Sequence, residues 1–225
     1  MPGQEVYYNQ FGQQHKAAII ASAEPHLWTT DAHTYGKVYQ EMKKRVANQE
    51  YFIDKYFDSN FSVLDIGCGF GRQAYLLAKK GFVVYGIDTS NVFVDIAKDL
   101  FAKHNYQSSF ACADLMKTGL DDTYKNVLLF DVLEHIIPYR RKKFIHRIYS
   151  VMQPGGNVIM SLPHDTAGTP WKKRIKQYFS YYTNKEEHPY AIPQKEDVEK
   201  IVRNFFTVVD SLVTDETDYY VLRRH

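Results

Sequence analysis

Cysteine is scarce in this chain: of 225 residues only Cys68 and Cys112 are cysteines. Two thiols make no disulfide framework, which excludes the small stapled scaffolds of the secreted world. Long apolar runs are lacking as well. The longest, such as Val127 to Phe130, are strand-sized and far short of the ~20 residues that cross a bilayer. The opening Met1-Pro-Gly-Gln-Glu5 has neither the basic start nor the apolar stretch of a secretory signal, so a reducing cytoplasm is the expected compartment. Charge of one sign is not in surplus either. Lys and Arg number 28 against 26 Asp and Glu, a formal net charge of +2 that excludes strong global steering toward nucleic acid and leaves local patches to matter. No internal repeat or low-complexity tract interrupts the chain.

What is present is core-forming material: an apolar share of 44% in 225 residues suits one α/β domain with an appendage. Aromatics are plentiful, with 18 Tyr and 14 Phe, many of them outside the central strands, where they either form a substrate chamber or pack a cap. The most informative stretch is Phe61-Ser-Val-Leu-Asp-Ile-Gly-Cys-Gly-Phe-Gly-Arg72, an apolar strand that breaks into alternating glycines before a helix-like run, Gln73 to Lys80. A side chain at Gly67, Gly69 or Gly71 would hold a ligand away from the backbone, and glycine permits positive φ at the turn. A second strand, Phe82 to Ile87, ends on Asp88, where an acid can accept the two hydrogens of a ribose diol. A dinucleotide fingerprint would need its third glycine at position 72. Arg72 stands there, so the spacing is Gly-x-Gly-x-Gly.

Periodicity orders the rest. Lys37 to Tyr56 places Val38, Met42, Val46, Phe52, Ile53 and Tyr56 at helical intervals and reads as part of an N-terminal helical lid over residues 1–60. From Phe61 to the C-terminus, strands alternate with helices, the pattern of a parallel sheet covered on both faces. Strands are expected near Ser62–Ile66, Val83–Ile87, Ser109–Ala111, Asn126–Phe130 and Asn157–Ser161. Helices are expected near Gln73–Lys80, Asn91–His104 and Arg140–Met152, the last stopped by Pro154-Gly-Gly. Phe205 to Val213, a polar turn at Thr214–Asp218 and Tyr219 to Leu222 read as a closing hairpin. Residues 163–194, rich in proline and aromatics, read as an insertion over the active site.

The glycine loop with Asp65 before it, the run Val127-Leu-Leu-Phe-Asp131-Val-Leu-Glu134-His135 and the later Pro154-Gly-Gly-Asn-Val-Ile-Met together closely resemble the class I S-adenosylmethionine-dependent methyltransferases, from about Phe61 to the C-terminus. The resemblance implies an α/β, Rossmann-like sheet of seven strands, mostly parallel with an antiparallel last strand, and S-adenosylmethionine as cofactor. It implies that Asp65, Gly67, Cys68, Gly69 and Gly71 meet the methionine and ribose, that Asp88 bonds the ribose with Thr89 beside it, and that Asp114 and Leu115 meet the adenine, with Asp131 lining the pocket. Taken singly, Asp88 also reads as a helix cap and Asp114 as a loop acid.

Methyl transfer is an in-line displacement, so positioning alone can carry much of the catalysis. A histidine base among His33, His135, His164 and His188 is the other expectation, with His135 and His188 foremost. Asp131-Val-Leu-Glu134-His135 is similar to the Glu-x-x-Glu-His run of ubiquinone-pathway O-methyltransferases and small-RNA 2′-O-methyltransferases, in which those side chains and a later His hold a divalent metal. Here the set would be Asp131, Glu134, His135 and His188; the resemblance allows such a metal without requiring it, and the first acid is Asp. Two basic clusters, Arg140-Arg-Lys-Lys143 and Lys172-Lys-Arg-Ile-Lys176, suit either an anionic partner or a solvated helix face. The expected reaction is methylation of an oxygen or nitrogen of a small molecule. An RNA methyltransferase and a non-catalytic nucleoside-binding module are the alternatives.

Overall fold

Residues 127–130 are apolar without interruption because both faces of their strand are covered, and the architecture follows from that. A computed structural model describes residues 2–30, 36–164 and 192–225. Strands β1 (Val63–Ile66), β2 (Val84–Asp88), β3 (Ser108–Cys112), β4 (Tyr124–Phe130), β5 (Met152–Pro163), β6 (Phe206–Val213) and β7 (Thr217–Arg224) form one seven-stranded sheet in the order β3-β2-β1-β4-β5-β7-β6. The first five run parallel, and β7 lies antiparallel between β5 and β6. The expected sheet with a reversed last strand is therefore present. Chain order reverses at the β1/β4 junction, the place where open α/β sheets bind ligands beyond the strand ends.

Helices α1 (Pro2–Ala21), α2 (Lys37–Tyr56), α3 (Arg72–Lys79), α4 (Asn91–His104), α5 (Pro138–Ser150) and α6 (Lys195–Val202) complete the described elements. Alternate residues of β4 serve opposite faces: Leu128 and Phe130 join Phe52, Leu77 and Leu100 from α2, α3 and α4, whereas Val127 and Leu129 join Phe144, Ile148 and Val198 from α5 and α6. The α2 side is also tied by polar bonds, since Asn157 donates to the Tyr56 carbonyl at 2.8 Å and Tyr219 stacks on Phe52 with centroids 5.6 Å apart.

One expectation needs correction. The helix expected over Arg140–Met152 is Pro138–Ser150, and Pro154-Gly155-Gly156 lies inside β5. The ladder to β4 shifts register between Tyr124 and Asn126, and a Cβ on Gly156 would stand 2.7 Å from the Lys125 carbonyl oxygen. The glycine admits a close backbone approach at an irregular strand, so it does not stop a helix. The expected N-terminal helical region is present, and it includes α1, a helix of 20 residues whose own periodicity does not mark it. Its apolar residues are spread around the axis, with Val6 and Tyr7 exposed while Ile19 is buried, so no single stripe marks it.

Contacts with α4 hold α1 in place. A Cβ on Gly12 would meet Val92 Cγ1 at 2.8 Å, so the glycine lets the two helices touch closely. Ser90 Oγ donates to Asn9 Oδ1 at 2.6 Å and Lys16 pairs with Asp99 at 2.6 Å. Ile19, Trp28, Phe70, Phe93 and Ile96 form the apolar layer between them. Of the expected insertion, residues 165–191 lie outside the described residues.

Candidate functional site

The turn after β1 carries three glycines in the left-handed region, with φ of 74° at Gly67, 53° at Gly69 and 85° at Gly71. They are required for two different reasons. A Cβ on Gly67 would sit 2.4 Å from Val132 Cγ2, and one on Gly71 would sit 3.2 Å from the Ala97 Cβ; at Gly69 the nearest atom would be Phe93 Cδ2 at 3.9 Å. Gly67 and Gly71 thus let neighbouring elements close in, whereas Gly69 keeps its backbone open to the crevice.

Asp88 at the end of β2 braces this turn. Its Oδ2 accepts from the Gly69 amide at 2.9 Å and its Oδ1 from the Ser90 amide at 2.8 Å. The alternative reading of Asp88 as a helix cap does not hold, because the cap of α4 is Ser90, whose Oγ accepts from the Phe93 amide at 3.1 Å. A carboxylate has about four lone-pair sites, so these amides do not exhaust its capacity to accept from a ligand hydroxyl. Burial raises the Asp88 pKa, and the amides of Ser90, Gly69 and Thr89 oppose the rise. Behind it Asp65 is 2% exposed and is pushed up to about 7, first by burial and then by the Asp88 charge.

These elements open onto a cleft of about 460 Å³, lined among others by Gly67, Gly69, Asp88, Thr89, Asp114, Leu115, Asp131 and His135. Those sequence-derived residues are brought together. Asp65, Cys68 and Gly71 do not line it. Cys68 is buried under the loop with burial holding its thiol pKa up, and Gly71 ends on α4. Asp114 folds back on its own segment, its Oδ1 accepting from the Met116 amide at 2.9 Å. The wall also includes residues that the sequence reading missed: Tyr8 from α1, Phe93 from α4, and Ile136, Arg140, Lys143 and Phe144 from the segment after β4.

Asp131 adopts φ 54° at the end of β4. Its carboxylate is paired with Arg45 of α2 and accepts from Ser161 Oγ at 2.8 Å. Arg45, also unforeseen, has its pKa lowered by burial, with Tyr219, Glu134 and Glu216 opposing; its charge in turn adds to the burial that brings Arg72 down to about 9. Glu134 is fully buried, with Oε1 3.9 Å from His135 Nε2, and the latter lies 3.4 Å from the Tyr8 hydroxyl. His164 Nδ1 is 2.7 Å from Asp218 Oδ1. His33 and His188 lie outside the described residues. Among the described residues no group of three or more His, Cys, Asp and Glu side chains could hold a metal ion. Asp131 is committed to Arg45 and Ser161, so the described part of the expected donor set, Asp131, Glu134 and His135, forms no such group.

Comparison with known proteins bears on the cofactor. Residues 63–156 match the methyltransferase domain family. The chain is similar to the ubiquinone biosynthesis O-methyltransferases of Coxiella burnetii, 30% identical over 100 residues that make up 44% of this chain and 42% of the relative, and of Rickettsia prowazekii, 27% identical over 177 residues, 74% and 66% respectively. The matched stretch thus spans less than half the length of the Coxiella protein. In fold it is similar to magnesium protoporphyrin IX methyltransferase from Synechocystis PCC 6803 with bound S-adenosylhomocysteine, at TM-score 0.72, 21% identity and 98% coverage of both chains. The sheet order and the matched domain agree: residues 63–156 belong to the methyltransferase domain family, on the fold of the S-adenosylmethionine-dependent methyltransferases.

Proposed function

We propose that the protein transfers the methyl group of S-adenosylmethionine to an oxygen or nitrogen of a small-molecule acceptor. The observation that carries this reading is Asp88, which holds the open amide of Gly69 and faces the cleft at the sheet's switch point. The residues fit the donor at both ends. Asp88 has free acceptor sites for the ribose hydroxyls, and Leu115, Ile136 and Phe144 supply apolar wall near Asp114 for the base. At the other end, Arg45 pairs with Asp131 of the cleft wall and its charge acts on Arg72, a cationic neighbourhood suited to the donor's carboxylate.

When bound, the sulfonium supplies an electrophilic methyl group, so the chain's own task is to orient the acceptor and exclude water. Helices α1 and α2 are read as the cover, because Tyr8 and Arg45 reach the cleft from them. His135, next to Tyr8 and Glu134, is the residue placed to take a proton from the acceptor. Two free cysteines, Cys68 and Cys112, support a cytoplasmic setting. No described helix is long and apolar enough to cross a membrane.

The test is calorimetry with S-adenosylhomocysteine. Asp88→Ala should weaken binding by roughly 1.5–3 kcal/mol, the worth of a charge-assisted contact. Unchanged affinity in a folded variant removes the donor assignment. Labelled donor incubated with metabolite extracts then separates an enzyme, which transfers label, from a module that only binds the nucleoside.

A further inference from the structure

The run Arg140-Arg-Lys-Lys143 has the composition of a solvated helix face, but α5 divides it into parts. Arg141 turns inward: it is buried, with Nε donating to the Ile136 carbonyl at 2.9 Å and Nη2 to that of Glu134 at 3.4 Å. Arg140 and Lys143, three residues apart and so on one side of the helix, line the cleft, and Lys117 lines it from the segment after β3. The two segments are tied together, since Arg147 of α5 donates to the carbonyls of Leu115 at 3.2 Å and Thr118 at 3.0 Å. Three cations are thereby held around one opening.

Their own surroundings neutralise only one of the three. Asp114 pairs with Lys117 at 3.3 Å; among the described residues no carboxylate pairs with Arg140 or Lys143. Arg140 also sits in the first turn of α5, where the helix dipole is positive and disfavours a cation. That helix has no acid in its first turn, and its N-cap, Ile137, offers no side-chain hydrogen bond. A sequence that breaks a local rule three times at the mouth of a cleft does so where a ligand compensates. Donor chemistry does not supply that ligand, because the adenosine half bears no anion and the carboxylate belongs with Arg45 and Arg72.

We infer that Arg140, Lys143 and Lys117 form a phosphate-binding rim, and that the acceptor is a phosphorylated small molecule. This rests on the donor reading above. A small phosphate ester fits better than a polynucleotide, because the described cations gather at one cleft mouth of about 460 Å³ and the chain as a whole carries a formal net charge of only +2, whereas a nucleic-acid footprint is an extended basic stripe.

The experiment uses inorganic pyrophosphate as the probe, titrated at low salt into the full chain saturated with S-adenosylhomocysteine. Pyrophosphate should bind alongside the nucleoside. The exposed double change Arg140→Gln/Lys143→Gln should weaken pyrophosphate at least about tenfold, as expected from two lost charge-assisted contacts, and by a clearly larger factor than it weakens S-adenosylhomocysteine. Lys117→Gln, on the segment after β3, should weaken pyrophosphate independently and covers the case of a misfolded double variant. Equal pyrophosphate affinity in both variants overturns the inference, and so does displacement of the nucleoside by pyrophosphate. Binding of a single-stranded oligoribonucleotide through these residues without binding of pyrophosphate also overturns it, in favour of an RNA acceptor. If S-adenosylhomocysteine fails to bind the unaltered protein, the donor reading falls by itself, and pyrophosphate titrated alone still judges the rim.

Discussion

Two aspartates on neighbouring strands divide the work beneath the glycine turn. Asp88 spends its carboxylate on the amides of Gly69 and Ser90. Asp65, on β1, lies behind it in the interior and its pKa is raised from 3.8 to about 7 by burial and by the Asp88 charge. In the unfolded chain Asp65 releases its proton near its ordinary value, whereas in the fold it keeps it until about neutrality. The native state therefore binds more protons between those limits, and stability falls as pH rises across that window. Asp65→Asn should remove this penalty. Thermal melts at pH 8 should show the variant higher by at least about 2–4 °C, the shift that ~1 kcal/mol gives in a chain of this size, with the gap closing toward pH 4. A gap independent of pH would show that Asp65 is not the titrating group. Among single residues, the glycines, Asp88 and Asp114 were legible because each sits at a fixed offset from a strand end. Arg45 was not, since it stands in the basic run Lys43-Lys44-Arg45 of a regular helix and nothing local sets it apart from its neighbours.

At the scale of elements, α1 shows how a helix can be essential to a cleft and still be hard to read. Its apolar residues are not gathered into a stripe, and its seat depends on Gly12 meeting Val92 and on Asn9 meeting Ser90, residues of α4 far along the chain. Gly12→Val should force α1 away from α4. Overpacking of this kind costs about 1–3 kcal/mol, and here the cost can be met by local release of the helix. Limited proteolysis should then cut within residues 2–21 faster than in the unaltered protein, and S-adenosylhomocysteine affinity should drop as Tyr8 leaves the cleft wall. An unchanged cleavage pattern with unchanged affinity would mean that α1 is not part of the cover. The strands, by contrast, were placed within a few residues by their apolar runs. The correction at Pro154-Gly155-Gly156 arose because a tight backbone approach and a helix stop call for the same residues.

For the molecule as a whole, the division between donor and acceptor sides sets the expected response to metal removal. Asp131 is held by Arg45 and Ser161, so positioning, with His135 as the proton acceptor, is the mechanism expected. Exhaustive chelation, checked by elemental analysis, should leave both nucleoside affinity and methyl transfer intact. Loss of transfer that a divalent ion restores, and that His188→Ala abolishes, would reinstate the metal site suggested by the Asp131-Val-Leu-Glu134-His135 run. What the sequence alone determined is the sheet, its reversed last strand and the glycine turn with Asp88 beside it, because strand period, turn glycines and acids at strand ends act over a few neighbouring residues. Only the tertiary structure decided that Arg45 reaches Asp131, that Tyr8 reaches His135, and that Arg140 and Lys143 face Lys117. Those partners are far apart along the chain and meet only because both faces of one sheet had to be buried.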